Sequence, residues 1–165
     1  MIKGNNGDSF SLSIEGYQFP EIETERDADW LNIRVTVISD GQQWEFVDPC
    51  LMVAEYEMLA NWLRLAGRQE QIDDAVSLEN IIMLSKDTVG DEPCITVYFD
   101  WQNIRSYHDV PSPPWIDRDA ANIEVVKRTY PLRLNDLEHV ANALEEQLRQ
   151  YPSRWRPDSG GDEIV

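Results

Sequence analysis

Acid–base and nucleophilic chemistry needs a histidine, a thiol or a carboxylate pair held beside a reacting group. The 165 residues hold two histidines, His108 and His139, and two cysteines, Cys50 and Cys94. His108 stands in Ser106-Tyr107-His108-Asp109, just before the run Val110-Pro111-Ser112-Pro113-Pro114-Trp115. Asp109 could fix its tautomer and Ser106 is near in sequence, so an enzyme using His108 is one reading. A loop histidine without catalytic role is the simpler one. His139 falls early in the last predicted helix, beside its apolar stripe, where nothing local would orient it as a base. Cys50 follows Pro49 with no histidine near in sequence and reads as a small core residue. No residue is therefore assigned a catalytic role. The two cysteines are too few and too isolated for a disulfide framework or a zinc site.

The eight glycines are scattered and match neither the P-loop nor the dinucleotide fingerprint, so no cofactor is expected. Glu21, Glu23, Glu25, Asp27 and Asp29 alternate strictly. An EF-hand loop would need glycine at its sixth place and glutamate at its twelfth, but Arg26 and Asn32 stand there, and no metal is expected. In an extended segment the same acids would lie on one side at a repeat of about 6.6–6.8 Å. Such a comb could meet a row of Lys and Arg in the groove of a nuclease, in the place of the phosphate backbone. A solvated acidic loop joining two strands is the alternative.

Six tryptophans add to this. Trp44 and Trp62 read as core and Trp155 as tail, whereas Trp101, beside Asp100, and Trp115, in the Pro-rich run, are expected at the surface. Exposed tryptophan near acids is the composition of an interface hot spot. The expected partner-binding set is Glu21, Glu23, Glu25, Asp27, Asp29, Asp100, Trp101, Asp109, Trp115, Asp117 and Asp119.

The charge points the same way. Asp and Glu number 31 against 14 Lys and Arg, a net −17. That field disfavours nucleic acid and anionic membranes as partners, and it raises the on-rate of a basic protein. Solubility alone would also account for it. No apolar run approaches the ~20 residues of a membrane span, and the start lacks the apolar stretch of a secretory signal. The cytoplasm is the expected location.

The elements that must position these residues follow from periodicity. Phe10, Leu12 and Ile14 alternate with serines, and Leu31, Ile33, Val35 and Val37 alternate with polar residues, the period of half-buried strands. Asp40-Gly41 supplies a hairpin turn before Trp44 and Phe46. Met52, Tyr56, Leu59, Leu63 and Ala66 then form a helical stripe ending near Gly67. Two more strands are expected around Ile81–Leu84 and Ile95–Phe99, another from Ile123 to about Leu132, and a last helix with Asn135 as its cap and Glu138 completing a capping box. The expectation is an α+β fold: a largely antiparallel sheet of about six strands with two amphipathic helices packed on it, strands then helix twice. Residues 1–8 are expected to be flexible, 9–152 to form a single domain and 153–165 a loose tail.

The run Asp29-Trp30-Leu31, Trp44, Asp48-Pro49-Cys50-Leu51, Glu55, Leu59, Trp62 and Leu63 resembles the WapI-type immunity proteins of bacterial polymorphic toxin systems. Tyr98-Phe99, Tyr130-Pro131-Leu132 and Tyr151-Pro152 are compatible with it, so the resemblance covers roughly residues 9–152. It departs at the start of the first helix, where the family has Ser or Thr and this chain has Val53. The resemblance implies a non-enzymatic cytoplasmic antidote that occludes the toxic C-terminal domain of a secreted toxin, basic nucleases being common among such toxins. It supplies no binding residues, and the oligomeric state, monomer or dimer, stays open. An acidic secretion chaperone is the alternative class, though such chaperones typically open with a helix and this chain opens with strands.

Overall fold

The computed structural model describes residues 1–23, 25–68, 70–79 and 81–155. Among the described residues there are two antiparallel sheets and three α-helices. The first sheet has the order β1-β2-β3-β4, with β1 at Ile2–Lys3, β2 at Ser9–Tyr17, β3 at Trp30–Ser39 and β4 at Gln42–Met52. Helix α1, Val53–Gly67, leads to β5 at Ala75–Val76, β6 at Ile82–Val89 and β7 at Glu92–Asp100. A short helix α2, Trp101–Tyr107, precedes β8 at Asp117–Arg118, β9 at Glu124–Pro131 and the last helix α3, Leu137–Leu148. The second sheet has the order β5-β6-β7-β9-β8.

The expected single sheet of about six strands is thus two sheets, and the expected two helices are three. Alternation marks a strand but not the sheet it joins. Strands β1, β5 and β8 span two residues each, too short to show a period. The first sheet is complete before the chain leaves it as α1, whereas α2 interrupts the second, which β8 and β9 complete before α3.

The local chemistry follows the residues. Asp40 and Gly41 both take positive φ, 52° and 73°, the twist a two-residue turn needs to match its flanking strands. Leu31, Ile33, Val35 and Val37 on β3 face inward with Trp44 and Phe46 on β4. The two sheets share one core. Phe99 of β7 meets Phe10 at 6.0 Å and Trp44 at 5.4 Å, both edge-to-face. On α1, Tyr56, Leu59, Leu63 and Ala66 are buried, as their spacing predicts. At its start the Glu55 carboxylate accepts the backbone N–H of Met52 at 2.8 Å, so the reciprocal half of a capping box forms without a Ser or Thr. Gly67 lets α1 and α3 approach closely, since a Cβ there would lie 3.1 Å from that of Leu137. Arg64 then ties the pair, at 2.8 Å from Glu145 and 3.0 Å from Asn142.

Two expectations about α3 and the N-terminus change together. Asp136, not Asn135, caps α3, accepting His139 N–H at 3.0 Å. Asn135 instead accepts Lys3 N–H at 2.6 Å and donates back to Lys3 O at 2.8 Å. That reciprocal pair, with Ile2 buried and paired to Phe10, holds β1 in the first sheet, so the segment 1–8 carries an ordered strand. His139 is exposed. No helix among the described residues is long and apolar enough to cross a membrane.

Both cysteines are free and buried. Burial, then the nearby Asp48 carboxylate, pushes the Cys50 thiol far up. Native protein at pH 8 is expected to resist iodoacetamide at both thiols and to label fully in denaturant, by intact-mass spectrometry. Rapid labelling of Cys50 without denaturant would show that the β4–α1 junction opens.

Candidate partner-binding surfaces

The loop between β2 and β3 carries the alternating acids. It is not the extended comb expected, because Arg26–Asp29 wind into a 3₁₀ turn. Such a turn rotates about 120° per residue, so Asp27 and Asp29 leave the row. Asp29 faces inward and is 4% exposed. It accepts the Ser153 hydroxyl at 2.6 Å and the backbone N–H groups of Arg154 and Trp155 at 2.7 and 3.0 Å. Asp29 is a structural anchor rather than an exposed contact.

The segment it anchors was expected to be loose tail. Instead, residues 153–155 form a strap across the acidic loop. The Arg154 guanidinium donates to Phe19 O at 2.9 Å, Pro20 O at 3.1 Å and Ala28 O at 3.1 Å, and lies 3.6 Å from the Tyr17 ring centroid. Tyr17 donates its hydroxyl to Pro152 O at 2.6 Å. The rest of the expected tail, 156–165, lies outside the described residues. Glu21, Glu23, Glu25 and Asp27 are exposed on the clamped loop. None of their side chains bonds another described residue.

The second group of expected contacts lies around α2 and the Pro-rich run. Asp100 caps α2 by accepting Asn103 N–H at 2.8 Å. Trp101 is 4% exposed, which overturns its expected place at the surface. The first turn of α2 points it inward, edge-on to Trp44 at 6.0 Å. Trp115 is half-buried, packed edge-on to Trp44 at 6.3 Å with the Arg128 guanidinium 4.3 Å over its ring. Asp117 pairs with that Arg128 at 2.9 Å. Asp119 closes its own loop, accepting Ala121 and Ile123 N–H at 2.9 Å each, and takes the Tyr98 hydroxyl at 3.3 Å. Burial, then the Asp119 carboxylate, pushes the Tyr98 phenol up to about 12. Asp109 is exposed, with no side-chain bond to a described residue.

His108 finds neither Asp109 nor Ser106. Its Nδ1 contacts the Asp48 carboxylate of β4, and Nε2 lies 3.6 Å from Glu79 Oε2 on the β5–β6 loop. Burial raises the Asp48 carboxyl above its usual range, and the imidazole opposes that shift. Ser106 Oγ donates back to Gln102 O at 2.8 Å. The imidazole thus ties the second half of the chain to β4, with no hydroxyl or thiol nucleophile bonded to it among the described residues. Three features have no counterpart in the sequence reading: the exposed Tyr107, the exposed Leu78 and the largely buried contact of His108 with Asp48, flanked by Glu79. The spacing Asp100-x-x-Asn103 was a capping signal for α2. Nothing local joins residues 48, 79 and 108.

No group of His, Cys, Asp and Glu among the described residues is arranged to hold a metal. The exposed carboxylates Glu21, Glu23, Glu25 and Asp27 lie on a clamped loop, and a separate cleft opens at α2 between Glu79, Asn103, Tyr107 and His108. The chain matches the model of the Immunity protein WapI-like family over residues 1–152 and belongs to that family. Membership carries a role in immunity to a toxin, and with it a cognate toxin as partner. No curated protein matches the chain. No solved structure matches it either.

Proposed function

We propose that this protein is the non-enzymatic antidote to the toxic C-terminal domain of a polymorphic toxin, binding that domain in the cytoplasm and occluding its active site. Family membership over residues 1–152 carries the reading. The charge supports a basic target such as a nuclease: 31 acids against 14 Lys and Arg, with Glu21, Glu23, Glu25 and Asp27 exposed on a loop held in place by Arg154. Carboxylates on a pre-ordered loop lose less entropy on binding than free ones.

Co-expression with the C-terminal domain of the protein encoded immediately upstream tests immunity directly. Survival with this chain and death without it is the expected result; a toxic domain that this chain does not neutralise refutes the pairing. Changing Glu21, Glu23 and Glu25 together to lysine moves the net charge by six units from −17. The triple variant is expected to bind the domain about 10-fold more slowly at low salt, measured by surface plasmon resonance. An unchanged rate in a folded variant would remove this loop from the interface.

A further inference from the structure

Tyr107, the last residue of α2, is 80% exposed, while Trp101 and Ile104 of the same helix are buried. Leu78, 61% exposed, sits beside Glu79 on the β5–β6 loop. Asn103 joins the two segments by donating its side-chain N–H to Glu79 O at 2.7 Å. Between them runs a cleft of about 390 Å³ lined by Glu79, Asn103, Tyr107 and His108. The other side of Tyr107 borders a second cleft that holds Asp100 and Ser106. An isolated aromatic ring standing between two clefts is costly to leave in water and inexpensive to immobilise, which is why tyrosine is enriched in binding hot spots.

The chemistry of the first cleft selects its occupant. Glu79 is held 3.6 Å from His108 Nε2 with 43% of its side chain exposed, so one face of the carboxylate stays open. Asp48 stands behind the imidazole, and the described residues lining the cleft include no lysine or arginine. A phosphate would meet like charge. An apolar small molecule would find an open cleft of mixed lining in place of an enclosed greasy wall. A guanidinium fits both features, stacking on the phenol ring and pairing with the carboxylate.

We infer that the exposed Tyr107 ring is a contact surface for a basic protein segment, and that the cleft beside it takes an arginine or lysine side chain of that partner beside Glu79. The inference rests on the immunity reading, since the toxin domain is the partner it assigns. It is tested with the purified toxin domain as probe, by calorimetric titration of the wild type, Tyr107→Ala and Glu79→Gln. Tyr107→Ala leaves the fold alone because the side chain is already in solvent, and its melting temperature is expected to match the wild type. Its affinity is expected to fall about 30-fold or more. Glu79→Gln is expected to weaken binding about 10-fold and flatten its salt dependence. A wild type that binds while Tyr107→Ala stays within about threefold of it overturns this surface and leaves the immunity reading standing. A wild type that does not bind the domain overturns both.

Discussion

Replacing Trp44 by alanine is expected to cost about 3–5 kcal/mol, the range for deleting a large buried aromatic. At about 2–4 °C per kcal/mol for a chain of this size, the melting temperature should fall by roughly 6–20 °C. The position explains the size of the effect. Trp44 meets Phe46 at 4.8 Å, Phe99 at 5.4 Å, Trp101 at 6.0 Å and Trp115 at 6.3 Å, so one ring joins the first sheet, the second sheet, α2 and the Pro-rich run. Its Nε1–H also donates to Pro111 O at 2.7 Å. Trp44→Phe keeps most of the packing and loses that bond, and should cost about 2 kcal/mol or less. Urea titration followed by circular dichroism measures both. A loss below about 1 kcal/mol for the alanine variant would mean that the two sheets are not coupled through this ring.

The second large effect is expected at Asp29. Asp29→Ala leaves a hydroxyl and two backbone N–H groups without their acceptor, a cost of about 2–4 kcal/mol. Asp29→Asn separates acceptor from charge. Both backbone N–H groups bond Oδ1, and an amide placed with its NH₂ toward Ser153 Oγ keeps all three contacts. The asparagine variant should therefore recover most of the loss, with thermal unfolding as the measure. If both variants lose the same amount, the carboxylate charge matters more than the geometry. If neither loses stability, the strap does not hold the loop in solution.

The fold was legible where burial follows a simple period. The alternation Phe10-Leu12-Ile14 and the stripe Tyr56-Leu59-Leu63-Ala66 mark their elements because each exposes one face to the same core. What failed has a common physical cause: bonds between residues distant in sequence decide it. The alternating acids read as a comb because alternation presupposes an extended backbone, whereas Asp29 turns inward to meet backbone groups at Arg154 and Trp155. Asn135 was a sound local cap, but Lys3 takes it and Asp136 caps in its place. Trp101 read as exposed beside Asp100, yet it opens a helix whose first turn faces Trp44. The partner of His108 was sought at Asp109 and is Asp48, one strand and one sheet away. Family membership was legible because the matching positions are core and turn residues, which the fold constrains directly.

The strap also orders events in time. Residues 153–155 reach back 124 to 126 positions to Asp29 and Ala28, so the acidic loop is made well before the segment that locks it. At about 5–20 residues per second that is a delay of roughly 6–25 s between making the carboxylates and fixing them. A chain that stops short of Ser153 lacks the groups that bond Asp29 and carries a slack loop. Any contact that this loop makes is thereby tied to translation through Trp155, the last residue of the strap to bond Asp29.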